Sequence, residues 1–497
     1  MNVIKKTQVL KVNNVWEMFR FITSQKYFKV IIFVLFLAFL LFSRFYNLDH
    51  TARFIWDESS DLVKIHQYYV DKQITLVGPI SEDGSKVFGS LTYYMLMPFA
   101  FIGNFDPIST AMGAAFWGTL TGLLFLYLVW KINVRYVYLV GLLILTWYPL
   151  LETSRWAWNP NFILFWIVLG LILYLKNTKL SLFLSGLSLG LAIHHHYLSL
   201  IAVFIFVFAA AFLFFRKKVP MKAFLLIMGF LTAILPFVIF DLRHPPGLFL
   251  SRIIYFNQIN PEFSIALGMT KVLTVFEQMF VYFVHSKIIA VFSSILILTL
   301  LVWDLKYRKR NLLYSSAWIS QLFFLVMLND VYNHYFLPAL PFFVVWLTVQ
   351  RDRFGKMTAD FLLFILILSS AFTIVPQLTY KDWQSDIVST RKITDIIQTE
   401  IQTNQLQNVN LAVLSSPDPN TYGRRYRDLL LIRDVNLDSK YEYFTSGKLF
   451  VVSMAEEKTI REDFAPEMTN FRNGILDGKW VIPDSKWKIY LFNKGKI

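Results

Sequence analysis

Residues 28–45 read FKVIIFVLFLAFLLFSRF. Apart from Lys29, no charge interrupts this run before Arg44, and a basic head precedes it: Lys5, Lys6, Lys11, Arg20 and Lys26. A secretory apolar segment is about 7–15 residues long and ends at small residues. This run is longer and closes on Ser43-Arg44-Phe45-Tyr46. We read it as an uncleaved membrane helix, with residues 1–27 a basic cytoplasmic N-terminus.

Working outward, apolar runs recur near 108–130, 134–150, 161–175, 179–193, 197–215, 221–240, 287–303, 312–329, 335–350 and 357–377, eleven in all. The chain is 56% hydrophobic and 16% charged, against about a quarter charged in soluble domains. That balance excludes a cytosolic enzyme and a disordered tail protein. The absence of cysteine excludes a disulfide scaffold, thiolate catalysis, cysteine-ligated zinc and iron–sulfur chemistry. The sequence requires no cofactor and leaves metal dependence open, with a divalent metal the minor reading.

The net charge of +15 is read as cytoplasmic lysine and arginine rather than a nucleic-acid surface. With the N-terminus inside, the inner loops carry Lys131 and Arg135; Lys176 and Lys179; Arg216, Lys217, Lys218 and Lys222; Lys306, Arg308, Lys309 and Arg310; and Arg351, Arg353 and Lys356. Each is basic, as the positive-inside rule requires. Counting 91–102 as a span would invert every later loop. That segment, with Tyr93, Tyr94 and Met97, is therefore read as a helix in the outer interface. The outer loops 47–107 and 241–286 are long, and the second contains another interfacial helix, Met269–Val284. After the last span, 378–497 alternates a helix (Trp383–Ile401) with short β runs (410–414, 448–452, 488–491). The sequence thus predicts an all-α polytopic membrane protein of about 11 transmembrane helices, spanning 28–377. A small C-terminal α/β domain follows outside the cytoplasm.

Polar groups near a bilayer are costly and usually functional. Here five successive outer loops carry them: Trp56-Asp57-Glu58; Arg155-Trp156-Ala157-Trp158-Asn159-Pro160-Asn161; His194-His195-His196-Tyr197; Asp241-Leu242-Arg243-His244-Pro245-Pro246; and Asn329-Asp330-Val331-Tyr332-Asn333-His334-Tyr335. Each has a structural reading too. Asp57-Glu58 suits a helix cap, Trp156 and Trp158 an interfacial belt, and Arg155 a snorkelling cation. Asp241 and Arg243 suit a local ion pair, and Asn333 and His334 the satisfaction of turn backbone. Three consecutive histidines fan over roughly 200° of a helix, so one ion meets at most one or two. Hydrogen bonding to headgroups or a phosphate fits them better than metal. Taken together on one face, the clusters suit a specific chemistry. A carboxylate in a partly dry loop deprotonates a hydroxyl, arginine and histidine hold a departing phosphate, and aromatic rings stack on sugar. That is glycosyl transfer from a lipid phosphate.

The order of these residues carries a resemblance. Arg44-Phe45-Tyr46-Asn47-Leu48 follows the first span, then Trp56-Asp57-Glu58, Ser90-Leu91-Thr92-Tyr93-Tyr94, Ser154-Arg155 with Asn159-Pro160-Asn161, Asp241-Leu242-Arg243-His244 and His334-Tyr335-Phe336-Leu337-Pro338. Over about residues 30–380 the chain resembles the GT-C membrane glycosyltransferases, in particular the family that includes the protein O-mannosyltransferases and the lipid A aminoarabinose transferase. The resemblance implies a polyprenyl-phosphate monosaccharide donor and an inverting single displacement. It implies Asp57 at the family's catalytic acidic position, with Glu58 beside it, and we read Asp57 as the general base. It implies Arg243 and His244 at the loop that handles the donor phosphate, and we read Arg155 as assisting them. The remaining expected contacts are Trp56, Tyr93, Trp158, Asn159, Asn161, His196, Tyr197, Asn333, His334 and Tyr335. The second-loop position often acidic in relatives is Asn159 or Asn161 here, a departure that weakens a metal-bridged mechanism. The expected partners are the lipid-linked donor, membrane lipid and an acceptor (lipid, glycan or protein) that the sequence does not choose. Two other readings compete: a transporter or flippase of lipid-linked sugars, for which Gln321 is the clearest mid-span polar group, and a surface-polysaccharide polymerase or ligase.

Overall fold

The computed structural model describes residues 26–80, 87–245, 247–249, 265–307, 312–350, 352–380, 386–416 and 421–494. Lys5, Lys6, Lys11, Arg20, Glu82, Asp83, Pro246, Arg308, Lys309, Arg310, Arg351 and Trp383 lie outside the described residues.

The first helix, α1 (Lys26–Phe45), is followed by a short turn of helix, α2 (Leu48–Thr51), and by α3 (Trp56–Asp71). A small hairpin, β1 (Val77–Ile80) and β2 (Val87–Gly89), leads to α4 (Leu91–Ile102). The bundle continues as α5 (Pro107–Ile132), α6 (Val137–Thr146), α7 (Tyr148–Thr153), α8 (Ile163–Lys176), α9 (Lys179–His195), α10 (Ser199–Arg216) and α11 (Pro220–Arg243). It closes with α12 (Ile265–Val284), α13 (Lys287–Tyr307), α14 (Leu312–Val326), a 3-10 turn (Asn333–Ala339), α15 (Leu340–Thr348) and α16 (Arg353–Thr379). Twenty residues rising 1.5 Å each give α1 a length of about 30 Å, the thickness of a hydrocarbon core. Seven helices among the described residues are long and apolar enough to cross a membrane. The other four expected spans are helical but shorter or divided by turns. The 12 residues of α4 reach only about 18 Å, too short to add a crossing. The helix expected over Met269–Val284 begins at Ile265, and its C-terminal half (Val275, Phe276, Met279, Phe280, Phe283) packs into the main core.

Caps set the helix starts. Asp106 precedes Pro107 at the head of α5, and its Oδ1 accepts from the Ile108 amide over 3.0 Å. Thr178 and Ser181 exchange side-chain and backbone bonds at the start of α9. The basic loops meet at one end of the bundle: Arg135 pairs with Asp360, Asn133 donates to the Thr348 carbonyl and Lys222 to Asn177.

The C-terminal domain stands at the other end. It comprises α17 (Ile387–Thr403), β3 (Val409–Val413), α18 (Arg424–Ile432), β4 (Lys448–Ser453), α19 (Glu457–Glu462), β5 (Leu476–Val481) and β6 (Lys488–Asn493). The sheet order is β3-β4-β6-β5, with β3 and β4 parallel and the other pairs antiparallel. Leu411, Val413, Phe450 and Val452 pack on one face; Ala412, Leu449, Val451 and Tyr490 pack on the other. Both faces are covered, so the central strands read as continuous apolar runs. The domain is docked on the bundle. Arg391 forks onto both oxygens of Asp106 at 2.9 and 2.6 Å, so one carboxylate caps α5 and holds α17. Ile387 and Leu429 join Phe54, Leu62 and Ile65 in a shared core.

Candidate active site

Helix α3 opens on Trp56, which puts Glu58 at its third position. Glu58 Oε2 accepts from the Ile55 amide over 2.9 Å, satisfying a helix-start donor. Glu58 Oε1 accepts from Trp156 Nε1 over 2.6 Å. The side chain is fully buried. Burial, and next the charge of Asp57, push its carboxyl up to about 8. Of the adjacent acids, Asp57 faces a cavity of about 610 Å³, and Glu58 does not. Glu58, expected beside the catalytic acid, stands off the cavity as a helix cap and an anchor of Trp156. Neighbours on a helix point about 100° apart, which explains the split.

Asp61 shares the face of Asp57, four residues on, and also lines the cavity. Burial raises its carboxyl well above the ordinary range, helped by Asp57 and Glu58; a hydrogen bond with Tyr93 and the charge of Arg424 oppose this. Burial and Asp61 likewise push the Tyr93 phenol up. Like charges one turn apart destabilise a helix, and such pairs mark functional sites.

The walls come from several loops at this end of the bundle. Trp156 and Trp158 stack at 4.4 Å and 13°. Trp158 meets His334 edge-on at 4.5 Å, His334 meets His196 at 5.2 Å, and His196 stacks on Phe88 at 5.2 Å. Trp56, Tyr93, Trp158, Asn159, His196, Tyr332, His334 and Tyr335 all line the cavity. Asn159 is oriented by donating Nδ2 to the His195 carbonyl over 2.6 Å. The three histidines point three ways. His194 bonds the Ala233 carbonyl. His195 accepts at Nε2 from Trp166 Nε1 over 3.0 Å, so Nδ1 carries the proton toward Thr92 Oγ1 at 2.8 Å. Only His196 of the three lines the cavity.

Other expected site residues stand elsewhere. Asn161 Nδ2 is spent on the Trp156 carbonyl over 2.7 Å. Tyr197 packs behind the wall, 5.3 Å from Phe88. Asn333 is exposed and off the cavity. Arg155 donates to the carbonyls of Ser43, Arg44 and Tyr46 at 2.8, 3.2 and 2.8 Å and to Thr51 Oγ1. These bonds clasp it to the end of α1, outside the cavity. Arg243 and His244 stand on the same end of the bundle but outside the cavity, both exposed. Asp241 turns inward, its Oδ1 accepting from the Leu248 and Phe249 amides at 2.8 and 3.0 Å. Arg243, two residues on, lies about 200° round the same helix and turns outward.

Sequence reading missed three features. Asp61 was signalled only by its spacing from Asp57. Arg424 lines the cavity from the C-terminal domain, which no local pattern announces. Glu152 lines a second recess of about 260 Å³, behind Trp156, with Arg53, Arg155 and Gln377. Tyr148 and Tyr282 donate to its two oxygens at 3.1 and 3.2 Å. No group of three or more histidine, aspartate or glutamate side chains among the described residues is arranged to hold a metal ion.

No family model matches the chain, and no curated protein matches its sequence. Solved structures do match. ArnT from Cupriavidus metallidurans bound to undecaprenyl phosphate is 10% identical, with 93% of this chain and 97% of that chain covered at a TM-score of 0.56. The apo state of the same protein is 9% identical, with 94% and 98% covered at a TM-score of 0.58. The chain shares the fold of that protein, the GT-C fold that the resemblance implied.

Proposed function

We propose that the chain transfers a monosaccharide from a polyprenyl-phosphate donor to an acceptor at the outer face of the membrane, with inversion. The observation that carries this reading is the cavity itself. Asp57 and Asp61 open onto it beneath an aromatic wall, at the end of the bundle away from the basic loops. That polarity favours a cytoplasmic N-terminus and an extracytoplasmic C-terminal domain. The fold neighbour bound to undecaprenyl phosphate supports a polyprenyl phosphate as the lipid partner.

In this reading Asp57 is the general base. It takes the proton of an acceptor hydroxyl or amine as that atom attacks the anomeric carbon. The bond from that carbon to the phosphate oxygen breaks, and the phosphate leaves with the electron pair. Phosphate is already a fair leaving group, so no acid need protonate it. Glu58, held toward its protonated form, adds little charge beside the base. Trp158, Tyr93 and Tyr335 offer faces for the sugar ring.

A transporter needs a polar path through the slab. The buried Gln321 donates Nε2 to the Tyr335 carbonyl over 3.1 Å, which fits a fixed scaffold better. The test is the purified chain in vesicles, given labelled polyprenyl-phosphate sugar and candidate acceptors. A covalent labelled product with released polyprenyl phosphate is expected. Movement of label across the bilayer without product would sink the reading in favour of a flippase, and a ladder of polymer lengths in favour of a polymerase. Envelope lipids and glycans compared by mass spectrometry, with and without the gene, identify the acceptor.

A further inference from the structure

One side chain on the cavity does not come from the membrane bundle. Arg424 begins α18 in the C-terminal domain, yet it lines the same space as Asp57 and Asp61. Its position is held from both sides. One turn along α18, Asp428 Oδ2 accepts from Ser59 Oγ over 2.6 Å, and Arg424 Nε stands 3.8 Å from that same oxygen. Ser59 lies between Glu58 and Ser60 on α3, so the bond fixes α18 across the acidic turn. Leu429 packs into the core that includes Leu62 and Ile65, which secures the rest of the helix. Arg424 is thus set against the carboxylates by a docked domain.

The cavity's charge makes such a cation necessary. A lipid phosphate entering beside the Asp57 carboxylate meets like charge, and an opposing cation offsets it. Among the described residues, the lysine and arginine side chains lining the cavity are Lys64 and Arg424. Lys64 donates to Gln67 at the exposed surface of α3 over 3.1 Å. A guanidinium is also the better match to phosphate, through its fork of donors.

We propose that Arg424 binds the phosphate of the lipid donor, so that the C-terminal domain completes the active site. This rests on the glycosyl-transfer reading, and the test separates the two. Full-length protein in nanodiscs is titrated with radiolabelled undecaprenyl phosphate, which carries no sugar and needs no turnover. Arg424→Ala is expected to weaken binding about 10–100-fold, the loss of a charge-assisted pair. Arg424→Lys restores part of it, because charge returns without the fork. Arg433→Ala removes an equal charge just beyond the far end of α18 and leaves affinity within about twofold, as screening predicts. In turnover, Arg424→Ala raises the donor KM and leaves the acceptor KM unchanged.

Wild-type affinity for undecaprenyl phosphate in folded Arg424→Ala or Arg424→Gln overturns the proposal, as does a rise confined to the acceptor KM. Arg424-dependent binding in a protein that transfers no sugar upholds the phosphate site while removing the transferase reading.

Discussion

Asp57 and Asp61 stand one helical turn apart on α3 and open onto the same cavity, while Glu58, next to Asp57, is buried beneath them. In the proposed mechanism Asp57 is the one base among acids held toward neutrality, an arrangement with testable consequences.

Asp61 is raised well above the ordinary carboxylate range. An amide at that position keeps the shape of a protonated acid and a partner for Tyr93. Asp61→Asn is therefore expected to lower kcat/KM by no more than about tenfold, less than general-base loss costs. Initial rates with labelled donor decide it, and a loss of three or four decades would make Asp61 the base instead.

Glu58 titrates at about 8 against an ordinary 4.5. The folded state therefore holds its proton more tightly than the unfolded chain does. Stability contributed by Glu58 is fully present below about pH 4.5 and is lost as pH rises through about 8. Glu58→Gln removes that loss. Thermal unfolding of the variant should gain on the wild type between these pH values and then hold a constant offset. Parallel curves across the range would contradict the buried, proton-holding role.

Arg155 clasps three carbonyls and one hydroxyl around the end of α1. A lysine ammonium cannot reproduce that fork. Arg155→Lys should cost about 2–4 kcal/mol of stability, from several buried bonds at once, and leave the donor KM of the folded fraction unchanged. A raised KM at wild-type stability would return Arg155 to the phosphate.

Much of the fold was legible because the bilayer writes it into hydropathy and charge. The apolar runs, the clustering of the basic loops at one end and the short Leu91–Ile102 segment all follow from transfer energetics. Within the site, Asp57, Trp158, His196 and His334 were legible because polar and aromatic groups at this depth are costly without a use. Helical phase was harder to read. It separates Asp57 from Glu58, turns Arg243 outward while Asp241 faces in, and lets His196 alone of its triplet reach the cavity. Arg424 was illegible for another reason. Its place depends on how α18 docks on α3, through Ser59 and Asp428, more than 360 residues away along the chain.

The central claim is that Asp57 deprotonates the acceptor. Asp57→Asn, reconstituted with labelled polyprenyl-phosphate sugar, should bind the donor as the wild type does and turn over about 10²–10⁴-fold more slowly. Wild-type turnover in that variant would contradict the account.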